Sequence, residues 1–435
     1  MITSQFDVEF TKDGSVHDQQ QVAALLDGLS DASDLLVLAH GWNNDIKDAR
    51  ALYDGLLSSL GQLSQPASGP GSKLAVMRVF WPSKKFTDQD LIPGGGAASA
   101  QVENDAALLD ALEAMKHDPD RLGDTGEDPI RAANINKALA LVGELEDSEA
   151  ARREFVLRIR AVLNPDHAHE DDGSREFFEL EPEDLFERFA QEVPVPLQVG
   201  EGGAASVDEG GAAFLGDLLS GVKAAARRIA NFATYYQMKT RAGTVGKGGA
   251  AATLIRVRER HPGLPIHLVG HSFGGRLVTA AASALQPGPA PVTMTLLQAA
   301  FSHNALAEKF DGQKNGAFRT IIQDKRISGP IVITHTKNDR AVGIAYPLAS
   351  RIAFDNAAAL GDENDPYGGM GRNGAQHTPE LSAAESQLRQ VAPGQKYTFT
   401  PGKVYNLNAD EIIKDHSDVT SVPVANAVMS ALGVR

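Results

Sequence analysis

The chain lacks cysteine altogether and has no long apolar run. None of its 435 residues is Cys, which excludes disulfides, thiolate metal ligands and a cysteine nucleophile and is typical of cytoplasmic proteins. No stretch approaches the ~20 apolar residues of a membrane-spanning helix, so we expect no stable membrane anchor. The first residues lack a basic region followed by an apolar core, so no secretory signal is predicted. We therefore expect a cytoplasmic protein.

Positive charge is also scarce, and the excess of negative charge is concentrated in one segment. The formal net charge is −15, which argues against nucleic acid as the main partner because phosphate binding needs clustered cations. Residues 101–210 hold 28 Asp and Glu against 10 Lys and Arg. A change in charge of this size predicts a segment with its own architecture.

We predict that residues 84–212 form an acidic, mostly helical insertion. The stretches "LIPGGGAASA" and "VGEGGAASVDEGGAA" resemble flexible joints at its two ends. Between them, apolar residues recur at spacings of three and four, as in amphipathic helices. The remaining chain, residues 1–83 and 213–435, would form the core of the protein.

The core has the rhythm of an α/β protein with a doubly wound, mostly parallel sheet. Short, nearly continuous apolar runs predict strands that are buried on both faces, and helical stretches separate them. The runs are at 35–41, 73–83, 265–272, 292–303, 330–339 and 403–410. The helical stretches are at 46–60, 213–260, 274–286 and 417–432. In such sheets, ligands bind beyond the carboxyl ends of the strands.

The stretch "GHSFGG" places Ser272 between a predicted strand and a predicted helix. Gly270 and Gly274 would let the strand and helix pack closely around a sharp turn, which would strain the serine and expose its hydroxyl as a nucleophile. The alternative is a Gly-rich phosphate-binding or structural turn, because the bare pattern is not specific in a Gly-rich chain. The flanking strand and helix, and His271 beside the serine, favour the nucleophile.

A serine nucleophile needs a base, and in such an elbow the acid and then the histidine follow it along the chain. His416 lies in a loop between the last predicted strand and the terminal helix, where a base would lie over the serine. His303 is the main rival, His377 lies in a Gly-rich loop, and His335 lies inside an apolar strand. We predict His416 as the base.

Asp339 is the predicted acid because it directly follows a buried strand. Asp324 and Asp355 resemble surface charges, and an ordinary helix cap is the alternative role for Asp339. The 77 positions from Asp339 to His416 are long for one α–β step, so a second, Gly-rich insertion is expected at about 356–400.

Three further features receive no catalytic role. The carboxylates of Asp362, Glu363 and Asp365 could bind Ca²⁺, but their spacing fits no EF-hand loop and favours a solvated turn. The segment around Lys247 fails the phosphate-loop pattern because a glycine follows the lysine. The aromatic residues of "NFATYYQMK" are expected to pack a helix, with the lining of an acyl pocket as the alternative.

An oxyanion hole would supply two backbone N–H groups to the developing charge. The residue after the nucleophile, Phe273, is one candidate donor. The stretch "LAHGWNND" supplies the other, because Gly41 follows an early strand and lets the backbone turn its amides inward, with Trp42 as the donor. We expect His40 to brace this loop rather than act as a base.

Together, "HGWNN", "VFWPS", "GHSFGG", the strand that ends at Asp339, and "DHSD" resemble the lipase and esterase branch of the α/β-hydrolase superfamily. The resemblance covers about 31–83 and 213–435. By its position, the insertion at 84–212 resembles a cap or lid.

The resemblance implies a Ser272–His416–Asp339 triad that forms an acyl-enzyme from a carboxylic ester, with no metal and no cofactor. The substrate would be a moderately hydrophobic small molecule. Amide, peptide or thioester hydrolysis would use the same residues, and a non-catalytic binding protein with this fold is the alternative from another class. The sequence sets no oligomeric state.

Overall fold

A computed structural model describes residues 2–42, 44–63, 73–83, 100–124, 126, 128–168, 174–190, 221–339, 367–390 and 395–434. Within these residues, seven parallel strands form one sheet in the order β1-β3-β2-β4-β5-β6-β7. The strands are β1 (Ile2–Glu9), β2 (Asp34–Ala39), β3 (Leu74–Phe80), β4 (Ile266–His271), β5 (Val292–Leu297), β6 (Ile331–His335) and β7 (Val404–Asn408).

Helices alternate with the strands, and additional helices occupy the acidic insertion. The α-helices are α1 (Gln19–Gly28), α2 (Ile46–Leu63), α3 (Ala100–Met115), α4 (Pro129–Leu141), α5 (Glu149–Arg160), α6 (Ser174–Glu179), α7 (Pro182–Ala190), α8 (Val222–Val245), α9 (Ala251–Arg260), α10 (Phe273–Ala284), α11 (Thr320–Gln323), α12 (Met370–Asn373) and α13 (Val422–Leu432). Short 3₁₀ turns cover Val142–Glu144 and Pro165–His167, and a π-helical turn, Gly246–Ala250, joins α8 to α9. No helix in the described ranges is long and apolar enough to cross a membrane.

The α/β class and the parallel sheet are confirmed, and the six predicted strands are β2 to β7. Strand β1 was not predicted, because its sequence "ITSQFDVE" alternates polar and apolar residues. It lies at the edge of the sheet and pairs with β3 alone. The apolar run that identifies a central strand is therefore absent from it.

The sheet is buried on both faces, as its apolar strands require. Along β2, Leu35 and Val37 face one apolar core and Leu36 and Leu38 face the other, because successive side chains of a strand point to opposite sides. Helices α1, α8, α9 and α10 cover the first face, and α2 and α13 cover the second.

The helices of the acidic insertion have an apolar core of their own, which they share with α8. On α8, Phe232 and Tyr236 belong to this third core, whereas Tyr235 and Met238 belong to the core against the sheet. The two Gly/Ala-rich joints lie outside the described residues, so the boundaries at 84 and 212 stay a prediction.

One polar network connects the insertion to the sheet. The carboxylate of Asp118, which follows α3, accepts hydrogen bonds from Gln237 (2.8 Å), from Lys12 (3.1 Å) and from Arg241. The Arg241 guanidinium, 4% exposed, also donates to the carbonyl oxygen of Pro82 at 2.7 Å, just beyond β3. The start of the insertion is therefore held to α8 and to the end of a strand.

Helix α10 crosses β2 in direct backbone contact, at the glycines that the sequence singles out. A Cβ atom added at Gly274 would lie 2.2 Å from the carbonyl oxygen of Ala39, and one added at Gly270 would lie 2.3 Å from that of Gly274. Both distances are far shorter than real Cβ contacts, so any side chain here would force the helix away from the sheet.

We expect Gly274→Ala to lower the free energy of unfolding by about 1–3 kcal/mol or more, since overpacking against backbone has no flexible atom to relieve it. The matched control is Gly61→Ala in α2, where an added Cβ meets no atom of the described residues within 4 Å. That variant should be more stable by about 0.5–1 kcal/mol, because alanine favours a helix over glycine. Chemical denaturation measures both values, and equal stability of the two variants would contradict the close packing.

Candidate active site

Ser272 occupies the turn between β4 and α10 in a backbone conformation that few side chains adopt. Its φ is 56° and its ψ is −126°, and a non-glycine residue at positive φ is strained. Three hydrogen bonds hold it there: its N–H donates to Leu297 O (3.0 Å), and its carbonyl accepts from Gly275 (3.0 Å) and Ala300 (3.1 Å). The strain in this elbow is thus imposed by its surroundings.

The expected exposure of the serine was wrong, since Ser272 is only 4% exposed. The loop after β2 covers it: a Cβ added at Gly41 would lie 2.7 Å from the Cβ of Ser272 and 3.0 Å from Nδ1 of His271. Because only glycine fits there, the main chain of this loop lies directly against the serine.

The structure brings His416 and Asp339 together across 77 positions of sequence. Nδ1 of His416 donates to Oδ2 of Asp339 at 2.9 Å. The carboxylate is fully buried, whereas the imidazole is 21% exposed. With Nδ1 occupied as a donor, the neutral ring has its acceptor at Nε2, as a general base requires.

Opposing effects set the pKa of His416. Burial lowers the pKa, since it disfavours the charged ring, but the charge and hydrogen bond of Asp339, with a smaller effect of Asp415, outweigh it. The pKa of His416 is therefore raised above its ordinary value. Between the described residues Ser272 and His416, the structure contains no hydrogen bond, and such bonds are often long in ligand-free sites.

Gln298 supports the buried carboxylate and was missed by the sequence analysis. It follows β5, is fully buried, and adopts a φ of 44°. Its Nε2 donates to Oδ2 of Asp339 at 3.4 Å and to Gly371 O at 2.9 Å, while its Oε1 accepts from the Thr334 hydroxyl at 2.8 Å. The amide orientation is thus fixed, with its N–H groups towards the acid. No sequence pattern marks this glutamine.

The loops that carry Asp339 and His416 are joined to each other. Nδ2 of Asn338, beside the acid, donates to the carbonyl oxygens of Asp410 and Ile413, both at 2.9 Å. The Thr336 hydroxyl donates to the Asp410 carboxylate at 2.7 Å. These contacts hold the loop after β7 against the end of β6, which is what places His416 next to Asp339.

The loop after β2 is braced by His40, as its sequence predicts. The His40 ring is fully buried, stacks on Trp81 at 5.7 Å between ring centroids, and donates through Nδ1 to Gly41 O at 3.0 Å. Burial lowers the pKa of His40 to about 4, so the ring is neutral. It contacts the loop and the strand that follows, and it takes no part in the Asp339 network.

The two predicted oxyanion donors, Trp42 and Phe273, have side chains that pack together. The helix α10 begins at Phe273, so the N–H of this residue is in the first turn, where the helix supplies no acceptor. The Trp42 ring packs edge-on against the Phe273 ring at 5.9 Å. The two residues are thus neighbours, although they are far apart in sequence.

The rival residues lie elsewhere or have other partners. Nδ1 of His303 contacts Asn373 Nδ2 at 3.2 Å, Nδ1 of His335 contacts a main-chain oxygen, and His377 is exposed. Asp324 pairs with Arg326 at 2.9 Å. The remaining candidates lie outside the described residues: Asp355, Asp362, Glu363 and Asp365.

We predict that Asp339→Asn lowers the pKa of His416 below its ordinary value, because burial then acts without the opposing charge. Asp415→Asn is the matched control and should lower it less, since that carboxylate is the smallest of the contributing charges. NMR titration of the His416 ring in folded protein measures both shifts. A pKa unchanged by Asp339→Asn would contradict the geometry of the pair.

Comparison of the chain with protein-family models, with curated proteins and with solved structures gives no match. The chemical roles of the residues at this site therefore depend on its geometry. That geometry consists of a strained serine, a histidine bonded to a buried carboxylate, and a glycine loop that lies against the serine.

Proposed function

We propose that the chain is a serine hydrolase of the α/β-hydrolase superfamily that cleaves carboxylic esters. The observation that carries the proposal is the 2.9 Å hydrogen bond from His416 to the buried Asp339, at the sheet edge where Ser272 occupies a strained turn. A buried carboxylate on one nitrogen of an imidazole fixes its tautomer and favours the imidazolium that forms during acyl transfer.

The reaction proceeds in two halves. Oγ of Ser272 attacks the ester carbonyl carbon, and its proton passes to Nε2 of His416. The N–H groups of Trp42 and Phe273 stabilise the negative oxygen of the tetrahedral intermediate. As the C–O bond to the alcohol breaks, His416 returns the proton to the leaving oxygen, which releases the alcohol and leaves an acyl ester on Ser272.

The second half repeats these steps with water. His416 takes a proton from the water as its oxygen attacks the acyl carbon, and it then gives that proton to Oγ of Ser272. The carboxylic acid leaves and the free serine is restored. Throughout, Asp339 stays ionised and holds Nδ1 of the ring.

The support for this proposal comes from the geometry of the site, and the topology of the sheet adds little to it. The seven-stranded, all-parallel sheet differs in strand number and order from the sheet of the α/β-hydrolase superfamily. In the proposed enzyme, α3 to α7 form the cap, and the substrate is a moderately hydrophobic ester. Amide and thioester substrates would engage the same groups.

A non-catalytic binding protein with the same fold is the competing function. The observation that favours it is the lack of a hydrogen bond between Ser272 and His416, both of which are described. A site that only binds a ligand needs no such contact. The two functions differ in whether Ser272 reacts with an acyl or phosphonyl electrophile.

We expect a fluorophosphonate probe to label the wild type and to leave Ser272→Ala unlabelled, since the probe reacts only with an activated serine. His416→Ala should slow labelling on the order of 10⁶-fold, the size of the loss when the histidine of a serine triad is removed. Turnover of p-nitrophenyl esters of increasing chain length should follow the same order among variants.

Ser58→Ala and His377→Ala are the matched controls for these variants, because both residues are exposed and neither belongs to a loop that carries Ser272, Asp339 or His416. They should label like the wild type. A wild type that is neither labelled nor active on any ester, with detergent added to loosen the insertion, would favour the binding protein.

The pH dependence of kcat/KM should have an acidic limb with its midpoint above pH ~6.5, the ordinary pKa of histidine. The reason is that His416 must be neutral to accept the serine proton, and its raised pKa keeps it charged to a higher pH. Activity should thus be lost as the pH falls through this raised pKa. A kinetic midpoint that differs from the pKa of His416 measured by NMR would contradict its role as base.

A further inference from the structure

His271 lies immediately before Ser272, at the end of β4, and the proposed chemistry gives it no role. Its ring is 7% exposed and points to the side of the sheet covered by α2 and α13. There it lines a small cavity together with Leu38, Val269 and Val419. Val419 belongs to the loop that carries His416, residues 409–421, which we call the base loop. The ring of His271 therefore lies between the sheet and the base loop.

The ring of His271 is bonded to the main chain of His416. Its Nε2 lies 2.8 Å from the carbonyl oxygen of His416, and the two rings are 4.9 Å apart between centroids. A carbonyl oxygen only accepts, so Nε2 must carry the proton. Burial, followed by the nearby charge of His416, lowers the pKa of His271 to about 3. The ring is therefore neutral, and its single proton lies on Nε2.

The base loop has few other attachments at this point. Within residues 415–418, the hydrogen bonds of Ser417 and Asp418 are to other residues of the same loop. Among the described residues, two hydrogen bonds tie this segment to the rest of the protein. One joins the His416 side chain to Asp339, and the other joins its main chain to His271.

The other ring nitrogen of His271, Nδ1, indicates that this residue does more than fill space in the core. Nδ1 is buried and has no hydrogen-bond partner among the described residues, an arrangement that native interiors mostly avoid. It faces the loop at Gly41, where an added Cβ would lie 3.0 Å away. An apolar residue would pack here without leaving an acceptor unsatisfied, so the useful group is the Nε2–H donor.

On the basis of the proposed hydrolase function, we infer that His271 is a positioning residue, whose Nε2–H holds the main chain of His416 and thereby places the general base relative to Ser272. The path between nucleophile and base is short. Ser272 and His271 are joined by one peptide bond, and one hydrogen bond connects His271 to His416. The distance between Ser272 and His416 is thus fixed by one peptide bond and one hydrogen bond.

Two substitutions of His271 separate this role from packing. The amide nitrogen of His271→Gln reaches the position of Nε2 and can donate to the His416 carbonyl, whereas that of His271→Asn reaches only the position of Nδ1. Both are polar and uncharged, so they serve as controls for each other. Circular dichroism and thermal unfolding establish that each variant is folded.

We expect His271→Gln to label with fluorophosphonate within about threefold of the wild type, and His271→Asn to label about 10- to 100-fold more slowly, since small displacements of reacting groups have effects of this size. In ester hydrolysis, the loss in His271→Asn should fall on kcat and leave KM unchanged. Equal rates for the two variants would overturn the role of His271.

A measurement on the wild type covers the case in which a variant fails to fold. The ¹⁵N chemical shifts of the His271 ring should show a neutral ring protonated on Nε2 from pH 5 to pH 9. Protonation on Nδ1 would overturn the inference, because Nε2 could then no longer donate to the carbonyl of His416.

The outcomes also distinguish this inference from the function on which it rests. A wild type without labelling or turnover overturns the hydrolase, and the role of His271 with it, whichever tautomer is found. A labelled wild type, together with equal rates for His271→Gln and His271→Asn, overturns the role of His271 alone and leaves the hydrolase standing.

Discussion

The site depends on the burial of one carboxylate. Asp339 has no exposed surface, and a charge removed from water is tolerated only where hydrogen bonds and opposite charge replace its hydration. His416 and Gln298 both donate to its Oδ2. The strained backbone of Gln298 and the raised pKa of His416 are both linked to this carboxylate. Without this charge, burial would leave the pKa of His416 below its ordinary value.

The parallel sheet is what allows such a site to be assembled from distant segments. Gly41 follows β2, Ser272 follows β4, Gln298 follows β5, Asp339 follows β6 and His416 follows β7. Because all strands run in the same direction, these five positions lie along one edge. Each loop is also bonded to a neighbouring loop or strand end, so that the groups are fixed relative to one another as well as to the strand that precedes them.

The parts of the structure that could be predicted from the sequence are those in which a physical constraint produces a recognisable local sequence pattern. Buried strands need apolar runs, and a strand–turn–helix elbow needs glycines, so β2 to β7 and the surroundings of Ser272 were predictable. Gln298 and Asn338 were not, because their partners lie in other loops and a polar residue in a loop has no distinguishing spacing. The same reason explains the missed β1, whose single neighbour and half-exposed face leave it without an apolar run. The burial of Ser272 was missed because it depends on the loop at Gly41, 231 positions earlier.

Polar and apolar contacts attach the described part of the insertion to the core. Lifting α3 to α7 as a unit would separate Asp118 from Arg241, whose guanidinium is buried and also holds the end of β3. Removing one partner from a buried ion pair typically costs about 3–5 kcal/mol. The aromatic ring of Tyr235 on α8 packs on Phe273 at 5.3 Å, and α8 also carries part of the insertion's apolar core. Helix α8 thus forms a continuous wall from the insertion to Phe273, the residue after Ser272. In the proposed enzyme, this wall would contribute to the selection of the substrate.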